Sequence, residues 1–367
     1  MTSSKVRGLA AVCGLWAGMS FAAEVQASET RGFVVDWFHL ATLSGQESCP
    51  TGLNPLSDVF YKRDLRNLGY SAKEVEELLK DFPNGAYLPI ITKRGRVDGK
   101  PVNIYAQPWT QPDPGIKIVE GKRAYGFNLD GKDGPSNFVE PVTGEKGIDN
   151  QLYRAVGCTQ SHTGALPHRP GFPQTVWDLE RDYMPAWLIE VSGIDDFKND
   201  DDVTVGFYRA RSPVKRDASG DVRADMTMWV DPDPRLNNVA KARIKNGIIT
   251  TDPITFRMVG NPMVMAEFDM RGARMRFELT PDGNLQGILG GYQLWETVYF
   301  GTFAAQGWAT EHSAGVDMPA VYYALKRLAD ATPDAKGQNT EISGTYWIES
   351  VPAFIKHSSD KTAQVAK

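Results

Sequence analysis

Oxygen-bearing side chains crowd one short stretch of this chain, Asn128-Leu129-Asp130-Gly131-Lys132-Asp133-Gly134. Calcium takes roughly six to eight oxygen ligands from a flexible loop, and Asn and Asp alternating around glycine turns offer that donor type. Glu140 follows Asp133-Gly134 at a spacing that suits a loop wrapping a cation, although Lys132 stands where an oxygen ligand belongs. Asn128, Asp130, Asp133 and Glu140 are the expected side-chain ligands of a structural calcium ion, with Asp149 as an outer contributor. The competing expectation is a plain polar turn, because Asp, Asn and Gly fill turns for backbone reasons alone. Gly193-Ile194-Asp195-Asp196 with Asp200-Asp201-Asp202 is a second acidic cluster and reads as a solvated loop.

Other chemistry is thinly signalled. Trp295-Glu296 and Glu311 could form a carboxylate pair for glycoside hydrolysis if folding brings them to within about 5–10 Å. Glu311-His312-Ser313-Ala314-Gly315 approaches a nucleophile elbow but lacks the first glycine that allows the tight turn. Seven methionines, Met226, Met228, Met258, Met263, Met265, Met270 and Met275, gather in one region. Thioethers are soft ligands for Cu(I), yet methionine is also an adaptable core filler, and Met270 and Met275 fall where strand alternation calls for an apolar residue. The chain has no haem-attachment Cys-x-x-Cys-His, no His-Glu-x-x-His and no Walker loop. Tryptophans 109, 177, 187, 229, 295, 308 and 347 are either core or flat platforms for sugar rings.

Cysteine usage depends on the amino terminus. Lys5 and Arg7, an uncharged run from Gly8 to Ala23, and small residues up to Ala27 form the three-part pattern of a secretory signal peptide. The run is shorter than the roughly 20 residues of a spanning helix, and no other segment suits a membrane span. Of the three cysteines, Cys49 and Cys158 would remain after cleavage. In an exported protein an even pair is read as a disulfide, with Cys158, His162 and His168 as a metal site the alternative. The expected location is the periplasm or the extracellular medium. A net charge of −5 offers no basic patch for nucleic acid.

These residues must be positioned by elements that the pattern also outlines. Gly32–Phe38 reads as a first strand. Ser71-Ala72-Lys73-Glu74 is a capping box opening an amphipathic helix that Pro83 stops, and Tyr87–Ile91 reads as a short strand. Val203, Val205 and Phe207 alternate, Asn246-Gly247 is a hairpin turn, and residues 264–270 and 273–279 alternate apolar with polar side chains. Asp317 and Pro319 begin a second helix, and a last strand lies near Gly344–Ile348. Half-buried antiparallel strands with frequent turns predict a mainly β protein, an antiparallel β-sandwich or jelly roll with one N-terminal and one C-terminal helix. The expected divisions are a signal peptide (1–27), an extension packed on the body (28–120), the sandwich (121–356) and a disordered tail (357–367).

The function expected from this reading is binding, or a structural role, toward a small molecule or glycan, with calcium as stabiliser. A secreted glycan hydrolase using Glu296 or Glu311 and a periplasmic copper-binding protein using the methionine cluster are the alternatives.

Overall fold

Apolar residues alternate along eight strands, so each strand has one face to hide and two edges to pair. The computed structural model describes residues 28–43, 47–163 and 169–358; the proposed signal peptide and residues 359–367 of the tail lie outside the described residues. The eight strands are β1 (Glu29–Leu40), β2 (Trp187–Ile194), β3 (Asn199–Arg209), β4 (Asn238–Lys245), β5 (Ile248–Thr251), β6 (Glu267–Leu279), β7 (Leu285–Leu294) and β8 (Asn339–Lys356). Each pairs antiparallel with the next in sequence, and β1 pairs with β8 from Phe33↔Pro352 to Leu40↔Tyr346. The result is a closed up-and-down barrel.

This corrects the expected sandwich or jelly roll. Alternation tells which strand face is buried, but a sandwich and a barrel share it. Closure is decided by the pairing of the first strand with the last, which removes the exposed edges that a sandwich retains. It also draws β1, at the chain's beginning, into the barrel wall. Three short strands add to the wall: Ile254–Val259 on β6, Ala331–Pro333 on β8, and Met226–Trp229 parallel to the end of β8.

The barrel is filled rather than hollow. Phe38 touches Trp177, Trp187, Phe268 and Tyr346 at ring-centre distances of 4.8–5.8 Å, and Val205, Phe207, Ala242, Met275 and Phe277 belong to the same buried core. On the other face of the wall, Val34, Leu188 and Tyr208 are covered by Met226, Met228 and Val230. The methionine group is therefore split: Met258, Met265, Met270 and Met275 pack in the barrel core, Met226 and Met228 pack outside it, and Met263 is 60% exposed.

Local signals translate well. Asn246 and Gly247 both take positive φ, +52° and +81°, as a two-residue hairpin loop twisted to match its strands requires. Of the stretches 264–270 and 273–279, residues 267–270 and 273–279 become one strand, β6, bent at Gly272 (φ +60°) where its register with β7 shifts. Val264 lies before that strand, its N–H bonded to Asn261 O.

Helices are more numerous than the expected two. Among the described residues α1 (Ser57–Asn67), α2 (Ala72–Leu78) and α3 (Tyr87–Thr92) form a satellite with its own apolar cluster, and α2 carries the complete capping box on Ser71 and Glu74. The Tyr87–Ile91 stretch is helix, not strand; Pro89 falls in the first turn, where a missing N–H costs nothing. Helices α4 (Gln151–Val156) and α5 (Gly171–Tyr183) occupy the middle of the chain. Between β7 and β8 come α6 (Trp295–Val298), a π-turn at Tyr299–Phe303, α7 (Trp308–Ala314) and α8 (Met318–Leu328).

Cys49 and Cys158 form a disulfide, within a cluster that includes Val119, Phe138, Ile148 and Tyr153. It ties the loop after β1 to the end of α4. Among the described residues no helix is long and apolar enough to cross a membrane.

Candidate functional site

Glu311 sits on α7, a helix that Gly307 precedes as its N-cap. Gly307 has φ +58°, and a Cβ placed there would lie 3.0 Å from the Tyr105 ring. Glycine thus permits both the positive-φ turn and the close approach of Tyr105. The Tyr105 hydroxyl donates to Glu311 Oε2 at 2.6 Å, and Met318 N–H at the start of α8 donates to Oε1 at 3.1 Å.

Around this carboxyl lies a largely buried ionic network, with the Arg63 side chain 39% exposed. Arg94 reaches Asp64 at 2.9 Å, and Arg63 bonds both Asp64, at 2.7 Å, and Asp317. Two guanidiniums face three carboxyls. Glu311 has no exposed surface, and burial pushes it up to about 7, with Arg94 opposing and Asp317 reinforcing. Burial likewise raises Asp64, although Arg94 opposes it. The phenols of Tyr61, Tyr105 and Tyr299 are raised by burial and then by the Glu311 charge. The Tyr299 hydroxyl is buried without a hydrogen-bond partner among the described residues.

Outside the Tyr105 ring opens a cleft of about 480 Å³, with Thr92, Asn103, Phe300, Gln306 and Trp308 in its lining. Phe300 is 39% exposed, and Trp308 is half-buried. Asn103 Oδ1 accepts the Tyr105 N–H at 2.8 Å, which fixes the amide's orientation and leaves its NH₂ group as donor. No residue lining this cleft carries a charge.

The two glutamates singled out by sequence stand in different surroundings. Glu296 is exposed on α6, whereas Glu311 is sealed behind Tyr105 with Arg94 and Asp317 as its neighbouring charges. Ser313 spends its hydroxyl on Ala309 O at 2.7 Å, within its own helix.

The Asn/Asp loop is built largely on itself. Asp130 accepts from Lys132 N at 2.9 Å and lies 3.1 Å from Lys132 Nζ. Glu140 accepts from Val142 N and Thr143 N, at 2.7 and 2.5 Å. Asp149, which is buried, accepts from Leu129 N at 2.8 Å and Asn137 Nδ2 at 2.5 Å. Asn128 donates to Lys146 O at 3.3 Å, and Asp133 lies in the same exposed turn. Among the described residues no group of three or more His, Cys, Asp or Glu side chains is placed to hold a metal ion. In the second acidic cluster Asp200 accepts from Asp195, Asp196 and Asp202 N–H groups, a self-capped turn.

Sequence reading missed Tyr105, Asn103 and Gln306. None stands in a local motif, and Tyr105 meets Glu311 only through the tertiary fold. Compared with protein-family models, with curated proteins and with solved structures, the chain matches none.

Proposed function

We propose that this protein is an exported binding protein whose cleft beside Tyr105 takes a neutral, polyhydroxylated ring such as a sugar unit. The observation that carries this reading is the uncharged lining of the cleft, with two accessible aromatic side chains and two amides. A charged ligand would lose hydration there with no counter-charge in return. A sugar presents C–H faces to Trp308 and Phe300 and hydroxyls to Asn103, Gln306 and Thr92. The cleft's volume lies within the range of small-molecule sites, about 300–1,000 Å³. Binding rather than glycosidic hydrolysis is the better reading, because the lining offers no carboxylate to act as acid or base. Export is supported by the basic and apolar amino terminus and by the disulfide, a cross-link suited to an oxidising compartment.

The test is calorimetric and fluorescence titration with neutral mono- to tetrasaccharides of glucose, galactose, mannose and N-acetylglucosamine. At least one should bind and perturb tryptophan emission, and Trp308→Ala should abolish the binding. Absence of binding across the panel at millimolar concentration, or binding that survives Trp308→Ala, overturns the assignment.

A further inference from the structure

We infer that the ligand is a neutral chain of sugar rings, and that Trp109, with Glu296 nearby, forms a second subsite next to the Tyr105 cleft. The inference rests on the sugar reading of that cleft and extends it from one ring to several.

Trp109 lies in the short turn Pro108–Thr110 and is 53% exposed. A tryptophan standing singly on a surface carries no message. This one ends a continuous row of rings. Its centre is 6.2 Å from that of Tyr322 on α8, Tyr322 is 5.3 Å from Tyr299, and Tyr299 is 4.9 Å from Phe300. Tyr322 and Tyr299 are buried, whereas Phe300 is exposed and lines the cleft. The row therefore surfaces twice, once in the cleft and once at Trp109, with two buried rings between.

The backbone joins the same two places. Asn103, Tyr105 and Ala106 line the cleft, and the chain then turns directly into Trp109. Gln107 N–H donates to Asn103 O at 2.9 Å, Thr110 N–H to Gln107 O at 3.1 Å, and Gln111 N–H to Pro108 O at 3.0 Å. Tyr323 of α8 clamps the end of the turn by donating its hydroxyl to Gln111 O at 2.8 Å. Trp109 is thus an exposed ring on a fixed support, and a ring held in place loses little freedom when a ligand stacks on it.

Glu296 supplies the polar part. It is exposed on α6, four positions before Phe300 in one helical run. Burial raises the Tyr322 phenol and the Glu296 charge raises it further, which sets the carboxylate beside the ring that Trp109 touches. An ionised carboxylate accepts several hydrogen bonds at once, and adjacent hydroxyls of a sugar ring are paired donors. The negative face of an indole takes the polarised C–H groups of the sugar's flat side. An acidic saccharide would meet a like charge at Glu296. A platform and an acceptor beside an uncharged cleft therefore select a neutral oligosaccharide over a single sugar or an acidic chain.

The experiment is calorimetric titration of the full chain with glucose, galactose, mannose and N-acetylglucosamine, each as mono- to tetrasaccharide. For the sugar that binds, affinity should rise at least about tenfold from mono- to tetrasaccharide. Trp109→Ala should cut that ratio to about twofold or less, Trp109→Phe should keep most of it, and Glu296→Ala should lower it by a smaller factor. Tetragalacturonate should bind more weakly than the neutral tetrasaccharide. Monosaccharide binding with no gain on lengthening, or a gain that survives Trp109→Ala, overturns the subsite and leaves the cleft reading standing. No binding by any member overturns both. Should Trp109→Ala fail to fold, saturation-transfer NMR of the wild type with the tetrasaccharide decides: contacts to two or more rings support the subsite, and contacts confined to one ring refute it.

Discussion

Tyr105 and Glu311, 206 residues apart in the chain, are joined by a 2.6 Å hydrogen bond in which the phenol donates and the carboxyl accepts. The bond ties the floor of the neutral cleft to a buried ionic network. The Tyr105 ring, only 3% exposed, backs the cleft, and its hydroxyl is held from behind.

Glu311 makes stability depend on pH. In the unfolded chain it titrates near its ordinary 4.5, whereas in the folded protein it holds its proton up to about 7. Between these values the folded state binds more protons than the unfolded state, so this contribution falls as pH rises from about 4.5 to about 7 and is flat on either side. Glu311→Gln should remove that component. Urea unfolding at pH 5 and pH 7.5 should show a smaller loss for the variant than for wild type; an equal loss would mean that Glu311 is ionised throughout.

Gly307→Ala should damage the cleft more than the fold. The substitution forces a side chain into a sparsely populated positive-φ conformation (φ +58°, ψ −122°), at a cost of about 1–3 kcal/mol, and places its Cβ 3.0 Å from the Tyr105 ring. Sugar binding should weaken while the circular dichroism spectrum remains that of wild type. Unchanged affinity would show that the ring's position is not critical.

The disulfide closes a loop of 109 residues. Cys49→Ala/Cys158→Ala should lower stability by about 2–5 kcal/mol, read as a lower denaturant midpoint. Mass spectrometry of unreduced wild type should recover the two cysteine peptides as one linked species.

Calcium should leave the melting temperature unchanged, because Asp130 and Glu140 already serve backbone donors in their own turns. Chelator and millimolar calcium are the two conditions to compare. A rise of a few degrees with calcium, lost in Asp130→Ala, would instead establish the loop as a cation site.

Phe38→Ala should cost about 3–5 kcal/mol, since four aromatic side chains touch its ring inside the barrel. Chemical denaturation measures the loss. A cost below about 1 kcal/mol would mean that the core collapses to fill the space.

What was legible in the sequence was what neighbouring residues decide. Asn246-Gly247, the Ser71–Glu74 capping box and the alternation from Ala273 to Leu279 each carry their signal within a few positions, and each appears in the structure. The barrel was not legible, because sandwich and barrel strands share one alternation and the deciding contact joins Phe38 to Ile348 across almost the whole chain. Pro89 misled for a local reason: proline in a short apolar run looks like a strand edge, but it also fits a helix's first turn. At the cleft and behind it, Trp308 and Glu311 were visible as residue types. Tyr105 was one tyrosine among 13, and nothing near it in the chain marks it as Glu311's partner.

Pairing β1 with β8 also sets when the molecule can exist. A ribosome releases Glu29–Leu40 before the other seven strands, but one neighbour of that strand, Asn339–Lys356, is the last of the eight to be made. The barrel therefore cannot seal until that strand emerges, and its high contact order makes sealing slow by comparison with helical domains. Until then the chain carries an unzipped seam with two open strand edges, the species most exposed to aggregation and to chaperone capture. A chain delivered across a membrane in unfolded form would meet this requirement without penalty, since all eight strands arrive before any need close.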